Sequence, residues 1–191
     1  ATVSFNDLTI TRGNSNLGGG LEIYGSATLV VMFSCTIFEN TATYYGGGLF
    51  IRSGNAGPAT LTMTDCTISE NTVSDITSEG AGLYSFLANV VIISSCTISK
   101  NTALGTNSRG GGLYITGLAT VTLTSCAISE NTAPFGGGLL INIDEGLATV
   151  RLIGCTFSGN SAYSTGNDIY QFSGITLELY SLCPGGTAYA G

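Results

Sequence analysis

The chain has no histidine and little charge: 5 Lys and Arg against 12 Asp and Glu in 191 residues, a formal net charge of −7. Without an imidazole, no histidine can activate a serine or cysteine nucleophile. So few cations leave no basic footprint for nucleic acid or for an anionic membrane surface. No apolar run approaches the ~18 residues of a membrane-spanning helix. No Asn-x-Ser/Thr acceptor occurs, because each Asn-Thr pair places Thr one position too early. No signal-peptide pattern occurs either, so any such segment has been removed or was never included. Scarce charge with abundant Gly, Ser and Thr resembles a disordered composition. The regular placement of Val, Ile and Leu argues for a packed core instead.

What the chain does have is repetition. One phrase recurs: Cys35-Thr-Ile-Phe-Glu-Asn40, Cys66-Thr-Ile-Ser-Glu-Asn71, Cys96-Thr-Ile-Ser-Lys-Asn101, Cys126-Ala-Ile-Ser-Glu-Asn131 and Cys155-Thr-Phe-Ser-Gly-Asn160. The interval is about 30 residues, the mark of a solenoid in which each repeat buries its apolar side against its neighbours. The segment Thr120-Val-Thr-Leu-Thr124 alternates with period two and is expected to be a strand with Val121 and Leu123 inward. Cys126-Ala-Ile-Ser129 follows as a second strand, and Leu139-Leu-Ile-Asn-Ile143, after the glycines, as a third. The same division fits Leu61/Met63, Cys66/Ile68 and Leu49/Ile51, and again Val91/Ile93, Cys96/Ile98 and Leu113/Ile115. The expected fold is all-β: a single right-handed parallel β-helix over residues 1–191. It has about six coils of three strands each, starting near residues 1, 28, 59, 89, 119 and 148, with a last strand and tail over 175–191.

Stacking such coils turns each repeated residue into a column. Asn40, Asn71, Asn101, Asn131 and Asn160 are expected at a corner, with Asn in left-handed backbone and its amide bonded to the next Asn. The glycine runs 18–20, 46–48, 110–112 and 136–138, with Gly80-Ala-Gly82, are expected at another corner. They are not phosphate loops, since no Lys-Ser/Thr follows them. Cys35, Cys66, Cys96, Cys126 and Cys155, continued by Cys183, form a third column. Strands ~4.8 Å apart allow either a ladder of buried free thiols or some coil-to-coil disulfides. No cofactor or metal set is expected.

A hydrophobe-x-x-Asn phrase followed by Gly-Gly-(Gly/Ala)-Leu resembles the paired motifs of the polymorphic outer membrane protein repeats. The matching positions are Ile37/Asn40 with Gly46–Leu49 and Ile68/Asn71 with Gly80–Leu83. Ile98/Asn101 with Gly110–Leu113 and Ile128/Asn131 with Gly136–Leu139 continue the series. The first repeat departs from the pattern, as does the last, where Thr165-Gly-Asn-Asp-Ile169 replaces the glycine run. The resemblance implies a right-handed β-helix of the adhesin and autotransporter-passenger kind, exposed at a cell surface or secreted.

Right-handed β-helices also include polysaccharide lyases and hydrolases. Glycoside hydrolysis needs two carboxylates facing each other across a groove, and the acids here are scattered. Asp144-Glu145 are adjacent without a partner in neighbouring loops. Glu39, Glu70, Lys100 and Glu130 form a solvated column, and Glu79 and Arg109 an exposed ion pair. The chain is therefore not expected to be an enzyme.

The outward positions of the strand after the glycines read Glu22, Phe50, Tyr84, Tyr114, Leu140, Tyr170. Phe50 to Tyr170 are expected to form an exposed contact stripe for a glycan, a cell-surface receptor or a neighbouring rod. A Thr/Ser array on the preceding strand (Thr36, Thr67, Thr97, Thr156 with Ser69, Ser99, Ser129, Ser158) resembles ice-binding solenoids, though Phe38 and Ala127 interrupt it. No cap helix is visible at either end. Val3 and Phe5 at one end, Leu177 and Leu179 at the other, are expected to stack against further copies. The expected function is an extracellular structural solenoid that stacks head to tail into a filament, with an adhesin segment as the alternative.

Overall fold

A computed structural model describes residues 1–25, 29–54, 59–86, 90–117, 120–142, 149–171 and 176–180. The strands form four parallel sheets, and the first, second and fourth enclose the main core. The first stacks Thr2–Asn6, Leu29–Phe33, Thr60–Thr64, Val90–Ser94, Thr120–Thr124, Thr149–Ile153 and Thr176–Tyr180. The second stacks Thr9–Thr11, Thr36–Phe38, Thr67–Ser69, Thr97–Ser99, Ala127–Ser129 and Thr156–Ser158. The third stacks Asn14–Leu17, Thr41–Tyr45, Thr72–Val73, Thr102–Ala103, Thr132–Phe135 and Ser161–Thr165. The fourth stacks Leu21–Gly25, Leu49–Ser53, Leu83–Phe86, Leu113–Thr116, Leu139–Asn142 and Ile169–Gln171. Each strand pairs with its equivalent one coil away, as Leu61 with Val91 and Val91 with Val121. The parallel solenoid expected from the period is the fold observed.

Each coil has four strands where three were expected. The additional one, between the Asn and the glycines, is as short as Thr72–Val73 and Thr102–Ala103. Two residues carry no alternation to detect, and in these coils a longer segment separates them from the glycines. Every inward residue expected within the described strands is buried, from Leu61 and Met63 to Leu139 and Ile141. Ile143, Asp144, Glu145, Cys183 and most of the tail lie outside the described residues. Ala42, Val73, Ala81, Ala103 and Ala133 form a small second core behind the third sheet.

The corners correct one expectation. The left-handed backbone falls on the residue before each ladder Asn: Glu39, Glu70, Lys100 and Glu130, with φ between 53° and 57°, and Gly159 at 65°; Arg12, ahead of Gly13, takes the same conformation in the first coil. Asn itself points inward and is buried. The charged side chain can face water there while the amide satisfies the turn. Asp7, Ser34, Asp65, Ser95 and Ser125 take the same conformation between the first and second sheets. These bends cost roughly 1–3 kcal/mol each for residues with a Cβ, and the ladders inside them hold the shape.

Two ladders do so. Asn101 Nδ2 donates to Ile68 O (3.0 Å) and to Asn131 Oδ1 (2.9 Å), while its Oδ1 accepts from Asn71 N (3.0 Å) and Nδ2 (2.9 Å). The pattern repeats from Asn40 to Asn160. The cysteines cap the other corner. Cys66 Sγ–H donates to Thr64 O at 3.2 Å, and Cys35 N–H donates to Cys66 Sγ at 3.4 Å. Cys35, Cys66, Cys96 and Cys126 are free and buried; Cys155 is free and half-buried. Burial raises the Cys35 thiol above its ordinary range. Because the reagent must reach the sulfur, and all four are buried, iodoacetamide should leave these four thiols unmodified in the native protein. It should label all of them after unfolding without reductant. Mass spectrometry that finds any of the four alkylated in the folded state would refute the buried ladder.

Candidate functional site

The expected contact stripe is in register along the outer face of the fourth sheet: Glu22, Phe50, Tyr84, Tyr114, Leu140, Tyr170. It is not open to solvent. Phe50, Tyr84, Tyr114 and Leu140 are 2%, 5%, 2% and 0% exposed, and Tyr170 is half-buried. The cause is the residue before each glycine run. Leu17, Tyr45, Glu79, Arg109 and Phe135 form a bridged column of their own. The next residue is a left-handed glycine, Gly46 at φ 60° and Gly80 at φ 64° for example. The chain turns so tightly there that a Cβ on Gly46 would lie 2.7 Å from Phe50 Cβ. That turn lays the preceding side chain over the residue four positions beyond the glycine. The stripe is the floor of a covered aromatic layer. A large residue directly ahead of each glycine is the signal that sequence reading passed over.

Within the layer, Phe50 and Tyr84 stack with centroids 5.2 Å apart and planes 8° apart; Tyr84 and Tyr114 stack at 5.1 Å and 4°. Tyr45 leans over them, 5.1 Å from Tyr84 at 45°. Such pairs add roughly 0.5–1.5 kcal/mol beyond the area they bury. Glu79 and Arg109 belong to the cover, the Arg109 side chain exposed and that of Glu79 largely buried. Their ion pair is 3.4 Å long, with the Glu79 side chain only 16% exposed. Burial pushes the Glu79 carboxyl up, against the Tyr84 hydroxyl and Arg109, which pull it down. Asn142 Nδ2 donates to the Tyr114 hydroxyl at 3.1 Å.

At the second and third coils the cover is incomplete. A cavity of about 200 Å³ opens there, lined by Leu17, Tyr45, Phe50, Arg52, Tyr84 and Phe86. Arg52 carries the cavity's positive charge. Its guanidinium lies 4.4 Å from the centre of the Tyr24 ring, and its Nε is buried without a hydrogen-bond partner among the described residues.

The other expected sites fall as follows. Val3 is 37% exposed, while Phe5, Leu177 and Leu179 are half-buried against the main core. Thr36, Thr67, Thr97, Ala127 and Thr156 form one outward column of the second sheet. A ladder that sequence reading did not find joins Ser78 and Ser108, whose hydroxyls are 2.8 Å apart in the longer third and fourth coils. Among the described residues, no three His, Cys, Asp or Glu side chains gather as a metal set.

Residues 1–180 match the family model described as the right handed beta helix region. The chain belongs to that family. No curated protein and no solved structure matches it. Membership of the right-handed β-helix family accounts for the stacked coils, the in-register ladders and the left-handed corners. It accounts as well for the absence, among the described residues, of any helix long and apolar enough to cross a membrane.

Proposed function

We propose that this β-helix is a non-enzymatic structural rod, working outside the cell or at its surface, that extends by end-to-end stacking of solenoid coils. The narrower kinship with polymorphic outer membrane protein repeats is part of this reading. The supporting observation is the state of the two outermost strands of the first sheet. Among the described residues, Thr2–Asn6 and Thr176–Tyr180 each pair on one side only, and Val3, Phe5, Leu177 and Leu179 are open or half-buried beside them. A strand edge with free backbone groups and apolar side chains is a template for another strand. Its natural occupant is a coil of the same kind, from a second copy or from more of the same polypeptide. Head-to-tail contacts of this kind do not close, and they build fibres.

Electron microscopy and sedimentation velocity of the purified chain test this. Fibres that grow with concentration are expected. Val3→Pro or Leu179→Pro, which disturbs a terminal strand, should abolish them while leaving the melting of the central coils nearly unchanged. A monodisperse monomer at high concentration would end the filament reading. An adhesin role in which the covered aromatic layer holds a glycan or receptor is the second reading, favoured by the cavity in that layer's cover.

A further inference from the structure

The cavity beside Arg52 breaks the repeat, and the break is what makes it informative. Features serving the solenoid recur from coil to coil, as the Asn and Cys columns do. The outward column containing Arg52 reads Tyr24, Arg52, Phe86, Thr116, Asn142. It carries a cation at one coil only. Arg12, Arg109 and Arg151 each pair with a carboxylate, Glu39, Glu79 and Glu178. Arg52 forms no ion pair among the described residues, and Glu22, one strand away, does not reach it. In a chain of net charge −7, a half-buried cation without an acid is the exception. Its face is already used, against Tyr24. That leaves the in-plane N–H edge, whose Nε is buried without a hydrogen-bond partner among the described residues. A buried donor without a partner is costly.

The geometry points to a binding site for a small carboxylate carried on one six-membered ring. A guanidinium edge with two N–H groups in one plane matches a carboxylate in a bidentate pair. Phe50 and Tyr84 are stacked along the rod, so they present ring edges, the positive rim of the aromatic quadrupole, toward a ligand above them. That also favours an anion. The apolar walls, Leu17, Phe86 and the tilted face of Tyr45, take the ring. A cavity of about 200 Å³ is smaller than the roughly 300–1,000 Å³ of drug-sized pockets, so it admits one ring and not a chain. This inference is independent of whether the rods form fibres.

Benzoate, benzyl alcohol and inorganic sulfate are the probes, followed by NMR shifts of the Tyr45, Phe86 and Arg52 signals. Benzoate should bind more tightly than benzyl alcohol, and sulfate should displace it poorly. Arg52→Met should weaken benzoate by about tenfold or more, the loss of a charge-assisted pair, with benzyl alcohol nearly unaffected. Arg52→Lys keeps the charge without the planar fork and should fall between. If Arg52→Met does not fold, as judged by circular dichroism, Phe86→Ala takes its place and should weaken both ring ligands alike. Equal binding of benzoate and benzyl alcohol, equal competition by sulfate, or no shift for any probe in the millimolar range would each overturn the proposal.

Discussion

Asn101→Ala should be among the most damaging single changes in this chain. The side chain is fully buried, and its four hydrogen bonds join three coils. Truncation leaves Ile68 O without the Asn101 amide and Asn71 N–H without the carbonyl it donated to. Water has no access to either. At roughly 1–3 kcal/mol for each orphaned group, the loss is about 2–6 kcal/mol, on the order of 10 °C in Tm for a chain of this length. Asn101→Asp should do no better. It keeps the acceptor oxygen, but it removes the donor to Ile68 and sets a carboxylate against Asn131 Oδ1. Thermal unfolding followed by circular dichroism checks both. A melting curve for Asn101→Ala that overlays the parent would show that the ladder contributes nothing to stability.

That ladder was legible in the sequence because it repeats at the coil period and uses one residue type. The same holds for the cysteine column and for the inward Val, Ile and Leu. Period-two alternation names the two sides of a strand reliably. It does not say what lies on the far side, and there the stripe was misjudged. Phe50, Tyr84 and Tyr114 do point away from the main core, but Tyr45, Glu79 and Arg109 lie across them. A covering residue of any chemistry will serve provided that it is large, so the column reads Leu, Tyr, Glu, Arg, Phe and shares size alone. The left-handed corners were misplaced for a related reason. Asn is the residue best known for that conformation, yet its amide is needed inside. The bend therefore moves one residue back, onto Glu70 or Lys100, whose side chains can face water. The cavity beside Arg52 departs from the repeat, so no recurring residue marks it in the sequence.

Gly112→Ala should also be severe, for a reason tied to the Asn ladder. A Cβ at Gly112 would sit 2.5 Å from Gly138 O and 3.1 Å from the amide of Asn131. The first obstacle is backbone and the second is a ladder member, so neither is a flexible tip able to move aside. Overpacking alone costs roughly 1–3 kcal/mol. Displacing Asn131 adds the loss of its bonds to Ile98 O and Asn160 Oδ1. One position earlier in the run, the solenoid accepts an alanine: Ala81 stands where its neighbours have Gly47 and Gly111, and it packs into the small core with Val73. The reverse change, Ala81→Gly, removes one buried methyl and loosens the backbone, at about 1 kcal/mol. Gly112→Ala should therefore lower Tm well below Ala81→Gly. Its cost should also depend on Asn131. In the double variant with Asn131→Ala the amide is gone and half of the obstruction with it, so the combined loss should be smaller than the sum of the two single losses. Strict additivity would mean that the glycine is bare because of its own backbone alone, and that the two ladders are independent.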